Sequence, residues 1–231
     1  MGTALANAMR RAGFDVHGPL GRDADLSGDG IVILCVPDSQ IAVAAARVPG
    51  SAMLAHCSGI TTLEPLAMHE AFSMHPLLTV TKDTAASSFA GAGCAVHASS
   101  ERARARCLEL VSALGMRPFE VADELRPLYH AAASAASNYI VTVASYAESL
   151  ADGAGVNRSL LVPLVRAAAD NWAQFGEAAL TGPVARGDED TVARQRSAVA
   201  AHAPASLALW DALVGATRRL SARPRRQTSE D

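Results

Sequence analysis

"GIVILCVPDSQI", residues 30–41, holds an unbroken apolar run from Ile31 to Val36 that stops at Pro37 and Asp38. A short, β-branched run bounded by Gly and Pro reads as a central strand of a parallel sheet, buried on both faces. Working outward, "SQIAVAAARV" (39–48) reads as a helix and "AMLAHCSG" (52–59) as a second buried strand. "TTLEPLAMHE" (61–70) reads as a helix opened by a threonine cap, and "AFSMHP" (71–76) and "GAGCAVHA" (91–98) as short strands. "SERARARCLELVSALG" (100–115) carries an amphipathic helix from its serine cap to Gly115, and "MRPFEV" (116–121) an edge-like strand. Strands alternating with helices predict crossover connections and a parallel sheet. Upstream, "MGTALANAMRRAG" (1–13) is a helical pattern closed by Gly13, followed by the strand-like "FDVHGPL" (14–20).

The pattern changes near Val121. From Asp123 on, no turn-bounded β-branched run of strand length stands out. "ADELRPLYHAAASAASNYIVTVASYAESLADGAG" (122–155) predicts one long helix of ~28 residues, started or kinked by Pro127. Helical patterns follow over 158–180, 188–201 and 205–220. The expectation is α/β plus all-α: a sheet domain over 1–121, a helical domain over 122–221 and a disordered tail over 222–231. The 231 residues, 50% hydrophobic, are enough for such cores.

Composition narrows the function classes. A formal net charge of −3 gives no overall pull toward nucleic acid or anionic membrane, and no apolar run reaches the ~18 residues of a membrane span. "TRRLSARPRR" (217–226) is basic without interleaved aromatics, and "ERARAR" (101–106) is the exposed face of a helix; both read as solvated. Cys35, Cys57, Cys94 and Cys107 fall in apolar settings without a C-x-x-C pair, which reads as free thiols in a reducing cytoplasm. No histidine or cysteine spacing suggests a metal site.

"GTALANAMRRAGFDV", "ILCVPDSQI", "HCSGITTLEPL", "SMHPLLTV", "YHAAASAASNY" and "LTGPVARGD" occur here in that order. This succession resembles a bacterial family of Rossmann-type proteins whose C-terminal part is known as domain of unknown function 2520. It is more distantly similar to deazaflavin-linked NADP oxidoreductases, pyrroline-5-carboxylate reductases, 6-phosphogluconate dehydrogenases and prephenate dehydrogenases. The resemblance implies a nicotinamide dinucleotide cofactor and a site completed by the helical domain. It also implies a homodimer built chiefly from residues 123–221. Family members begin with a strand and G-x-G-x-x-G, whereas this chain begins at the last two residues of that pattern, Met1 and Gly2. The expectation is a natural protein extending upstream by ~8–10 residues, a strand and its turn. The alternative is a shortened protein with impaired cofactor binding.

The resemblance places Gly2 and Thr3 at the phosphates, on a helix N-terminus. It places Val36, Pro37, Asp38, His56, Ser58 and Gly59 on the rim where such folds hold the dinucleotide. The predicted second strand leads to Arg22 rather than to an acidic residue, which favours NADP over NAD. Arg22 is either the fork for a 2′-phosphate or a solvated loop arginine. His75, in a His-Pro segment like one that contacts substrate in prephenate dehydrogenases, is a candidate acid or base; it could equally fix a turn. At 100° per residue, His130, Ser134, Ser137 and Asn138 share one quadrant of a helix. His130 and Asn138 are candidates for the roles that a lysine and an asparagine play in 6-phosphogluconate-type enzymes, since Lys82, the sole lysine, lies elsewhere. Ser134 and Arg186 are candidate substrate contacts; the alternatives are a buried polar stripe and an Arg–Asp turn clamp. Two function classes stand: an NADP-dependent oxidoreductase acting on a small carbonyl, imine or hydroxyl compound, and a non-catalytic dinucleotide-binding or sensor protein.

Overall fold

The computed structural model describes residues 1–22, 24, 26, 30–81 and 84–223. The chain divides into two compact units, Met1–Asn138 and Tyr139–Asp231. In the first, α1 (Gly2–Arg11) precedes β1 (Ile31–Leu34), α2 (Ile41–Ala45), β2 (Met53–His56), β3 (Ala71–Leu77), β4 (Gly93–Ala98), α3 (Glu101–Ala113), β5 (Arg117–Glu120) and α4 (Arg126–Ser134). The second holds α5 (Ile140–Gly153), α6 (Arg158–Phe175), α7 (Pro183–Arg186), α8 (Glu189–His202) and α9 (Leu207–Ser221). The tail expected over 222–231 lies outside the described residues from 224 on.

The five strands stand in the order β1-β2-β3-β4-β5. β1, β2 and β3 run parallel, as do β4 and β5, but β3 and β4 pair antiparallel from Phe72↔Ala98 to Leu77↔Gly93. The fully parallel sheet expected from the sequence is therefore corrected at one pair. Among the described residues, the segment between β3 and β4 carries only a single turn at Ala86–Phe89, so no helix returns the chain to the sheet's other end. β1 is also an edge strand rather than a central one. Ile31 at its start is exposed, and residues 14–20 pair with no strand among the described residues. Instead, Arg10 donates to the carbonyls of Val16 (3.0 Å) and Gly18, holding that stretch against α1.

Alternation along the strands separates two cores. Met53, Ala55, Phe72 and Met74 join Leu5 and Met9 of α1 and Cys107 and Val111 of α3; Leu34, Leu54 and Ala71 join Ile41, Ala45 and Leu66. Burying a side chain such as Phe72 stabilises by about 2–3 kcal/mol. α1 ends where Gly13, at φ +92°, lets Phe14 N–H donate to Met9 O. α3 is capped by Ser100, whose Oγ accepts from Ala103 N–H at 3.1 Å. The helix expected over 61–70 is only a turn at Glu64–Leu66. In the loop before it, Ser58 Oγ and Thr62 Oγ1 accept from the amides of Ile60, Thr61 and Glu64, backbone groups that a longer helix would arrange differently.

The long helix expected after Asp123 starts at Arg126, with Pro127 in its first turn, and runs to Gly153 through a π-helical turn at Ala135–Tyr139. Its first half packs with the sheet. Arg126 and Tyr129 reach β3, so residues 122–138 group with the first unit rather than with the later helices. In the second unit, Asn157 caps α6 and Asp188 caps α8. Arg196 makes two 2.8 Å bonds to Asp211, tying α8 to α9. Apolar exposure is high: Val141, Leu160, Leu164 and Trp172 are each more than 60% exposed. No helix among the described residues is long and apolar enough to cross a membrane.

Candidate functional site

Parallel β1, β2 and β3 bring their C-terminal ends to one rim, the ligand-facing edge of open α/β sheets. At the end of β1, Val36, Pro37 and Asp38 are exposed. At the end of β2, His56 is fully buried and both ring nitrogens are used: Nε2 donates to Thr62 O (3.0 Å) and Nδ1 accepts from Ser58 N–H (3.2 Å). Burial, more than any neighbour, lowers its pKa, in keeping with this neutral form. Ser58 Oγ donates to Thr61 Oγ1 (2.9 Å) and accepts from Thr61 N–H (3.0 Å). His56 and Ser58 thus shape the loop that carries Gly59.

Gly59 lies directly under His75. A Cβ at residue 59 would sit 2.8 Å from His75 Cε1 and 2.9 Å from Nδ1, so the imidazole rests on bare backbone. Because Phe72 and Met74 face the α1–α3 core, Ser73 and His75 face the opposite side of β3. There α4 meets them. Tyr129 Oη lies 2.6 Å from His75 Nδ1, and its ring packs edge-on against Phe119 with centroids 5.8 Å apart. Burial raises the Tyr129 pKa to about 12. Burial, then the proximity of His130, lowers that of His75 to about 4. Both groups are therefore neutral at pH 7. The phenol donates, Nδ1 accepts, and the imidazole proton sits on Nε2. His130 stands 6.3 Å from His75, centroid to centroid.

Arg126 fixes this end of α4. It is 1% exposed, with Nε donating to Asp123 Oδ1 (2.8 Å) and an NH2 group to Ser73 Oγ (3.2 Å). Its other terminal nitrogen, NH1, has no partner. The cation is thus locked two residues from His75, and its field, with that of Asp38, reaches both His75 and His56.

The structure brings Asp38, His56, Gly59, His75 and His130 to one neighbourhood. Gly2 stands close to it: a Cβ there would lie 3.3 Å from Cys35 Cβ, so the start of α1 abuts the end of β1. The first bond of α1 is Leu5 N–H to Met1 O, leaving the amides of residues 2–4 ahead of the helical ladder. Thr3 and Arg22 are exposed. Ser134 is half-buried and Asn138 exposed, and the π turn between them changes the phase that 100° per residue assumed. Ser137 Oγ donates to Ala133 O, a local helix bond. Arg186 belongs to the second unit, exposed at the end of α7.

Sequence reasoning missed Tyr129 and Arg126. The neighbouring Tyr129-His130 pair was a usable signal. Arg126, next to a proline and at a helix start, reads as surface charge.

The family model for a domain of unknown function, DUF2520, matches residues 92–217. No curated protein matches the chain. Among solved structures, a Bacteroides fragilis protein described provisionally as an NADP oxidoreductase superimposes with TM-score 0.79 at 20% identity, covering 94% of this chain and 93% of that one. A Thermotoga maritima protein gives 0.77 at 26% identity, over 87% and 82%. Pyrroline carboxylate reductase of Plasmodium falciparum, with NADP bound, gives 0.56 at 11% identity, over 95% and 94%.

Proposed function

The chain belongs to the DUF2520 family, and from that premise we propose that it is an NADP-dependent oxidoreductase acting on a small carbonyl, imine or hydroxyl compound. The observation that carries the reading is the 2.6 Å contact between His75 and Tyr129 at the C-terminal end of β3. The residues fit a dinucleotide: the amides at the start of α1 suit its phosphates, and the exposed Val36–Asp38 rim suits its ribose and nicotinamide. Arg22, with no acidic residue in its place, favours NADP over NAD. When bound, that cofactor supplies or accepts hydride at the nicotinamide.

The chain's own part is the proton. In the reducing direction, His75 passes its Nε2 proton to the developing alkoxide while Nδ1 takes the phenol proton of Tyr129. Two neutral groups thereby act without an imidazolium or a free imidazolate, and the Tyr129 phenolate so formed regains its proton from solvent, to which the half-buried ring is open. His130, Ser134 and Asn138 on the long helix are the proposed substrate contacts. The exposed apolar faces of α5 and α6 suit burial against a second copy, so the protein acts as a homodimer. Membrane and nucleic acid are not its partners, and its unbridged cysteines suit the cytoplasm.

Calorimetric titration with NADPH and NADH, followed by a panel of small carbonyl compounds, tests this reading. NADPH binding with turnover supports it. Binding without turnover across the panel would favour a non-catalytic sensor, and no binding of either dinucleotide would overturn both.

A further inference from the structure

We propose that Cys35 and Cys57 form a reversible dithiol–disulfide couple at the end of the sheet. Leu34 and His56 are the last register partners of β1 and β2, so Cys35 and Cys57 are the next residues in step, one just past the end of each strand. Their sulfurs are 3.9 Å apart, and both side chains pack on the α1 side of the sheet. Neighbouring strands stand about 4.8 Å apart, inside the Cα separation of ~4.4–6.8 Å that a disulfide spans. Closing the sulfurs to ~2.05 Å needs side-chain rotation and no rearrangement of the ladder.

The two thiols are unequal, as an attacking and a resolving cysteine must be. Cys35 is half-buried and within reach of solvent, whereas Cys57 is buried. The hydrogen bond from Cys57 lowers the Cys35 pKa, while giving that bond, together with burial, raises the pKa of Cys57. Cys94 and Cys107 are fully buried, and burial raises each to about 12, so neither offers a thiolate.

The oxidant is a hydroperoxide. The Cys35 thiolate attacks the terminal oxygen, an S–O bond forms, the O–O bond breaks, and the departing oxygen takes a proton. Cys57 sulfur then attacks the Cys35 sulfenic acid, forming S–S and breaking S–O, with water leaving. Two electrons pass to the peroxide, and a dithiol reductant reverses the reaction.

Oxidation also reaches α1. Cys35 Sγ lies 3.9 Å from the position a Cβ on Gly2 would take, and in the disulfide this sulfur is redirected toward Cys57, which changes its packing against the start of α1. This consequence rests on the proposed role of the α1 amides at the cofactor phosphates.

The native protein is treated with hydrogen peroxide, alkylated and digested. The expected product has lost two hydrogen atoms, carries a single Cys35–Cys57 linkage and is restored by dithiothreitol. Cys35→Ser and Cys57→Ser lose the linkage, and Cys94→Ser keeps it. Sulfinic acid on Cys35 without linkage, or a linkage between other cysteines, would overturn the proposal. Oxidation should weaken NADPH by about tenfold, the equivalent of roughly one charged hydrogen bond; an unchanged affinity would overturn the effect on the cofactor. The linkage is read by mass, so a reduced protein that fails to bind NADPH counts against the proposed function and not against the couple.

Discussion

Replacing Gly59 by alanine perturbs the site through one contact. The new Cβ would stand 2.8 Å from His75 Cε1, 2.9 Å from Nδ1 and 3.0 Å from Nε2, where carbon contacts settle at ~3.5–4.0 Å. Gly59 has no positive φ, so alanine meets no backbone strain there and the collision with the ring is the whole effect. The imidazole must retreat by about 0.7–1 Å. Tyr129 cannot follow freely, because its ring is packed edge-on against Phe119. The 2.6 Å bond to Nδ1 is therefore lost, at about 1 kcal/mol of stability. A misplacement near 1 Å costs turnover on the order of 100-fold. NADPH oxidation gives kcat and KM, and NMR titration of His75 gives an independent reading. A ring pushed toward water should titrate well above its value of about 4. The expected result is a kcat loss with little change in the KM for NADPH. Full kcat, together with an unshifted His75, would refute the reasoning.

Three further outcomes follow from the same structure. His75 binds no proton in the folded state until the pH nears about 4, whereas in the unfolded chain it titrates near ~6.5, so stability present above pH 6.5 should fall as acid is added across that window. The ceiling is about 3.4 kcal/mol, and solvent around the half-buried ring brings the expected loss to about 1–2 kcal/mol; His75→Gln should flatten the slope in urea titrations. Arg22→Ala should weaken NADPH by about 1.5–3 kcal/mol and leave NADH unchanged in calorimetry, and an equal loss for both would place Arg22 away from the 2′ position. Sedimentation at micromolar concentration should show a dimer, and a clean monomer would overturn the proposed homodimer.

The α/β order of the first unit was legible because strands such as Ile31–Leu34 and Met53–His56 lie in short, mainly apolar runs bounded by glycine or proline. The helices α3, α6, α8 and α9 were legible from their helical patterns, and α3 also from its serine cap. The antiparallel β3–β4 pair was not, since strand direction depends on the connecting chain and not on residues within the strands. Nor was the turn at Glu64–Leu66, where local serine and threonine bonds outcompete a helical pattern. Around the candidate site, the places of His75 and Gly59 near the ends of β3 and β2 were readable. Their direct contact was not, because it depends on the register of β2 against β3. The π turn at Ala135–Tyr139 leaves no mark on an alanine-rich sequence, so the face shared by His130 and Asn138 could not be settled by counting. Tyr129 becomes meaningful only once α4 is laid on the sheet.

The most direct test of the proposed chemistry compares NADPH binding and NADPH oxidation in the native protein and in His75→Gln. The native protein should bind NADPH and oxidise it with at least one small carbonyl compound. His75→Gln should keep NADPH affinity within about twofold while losing turnover by about 100-fold or more, the scale of general-acid catalysis. A His75→Gln protein that turns over at the native rate would contradict the assignment of the proton to His75.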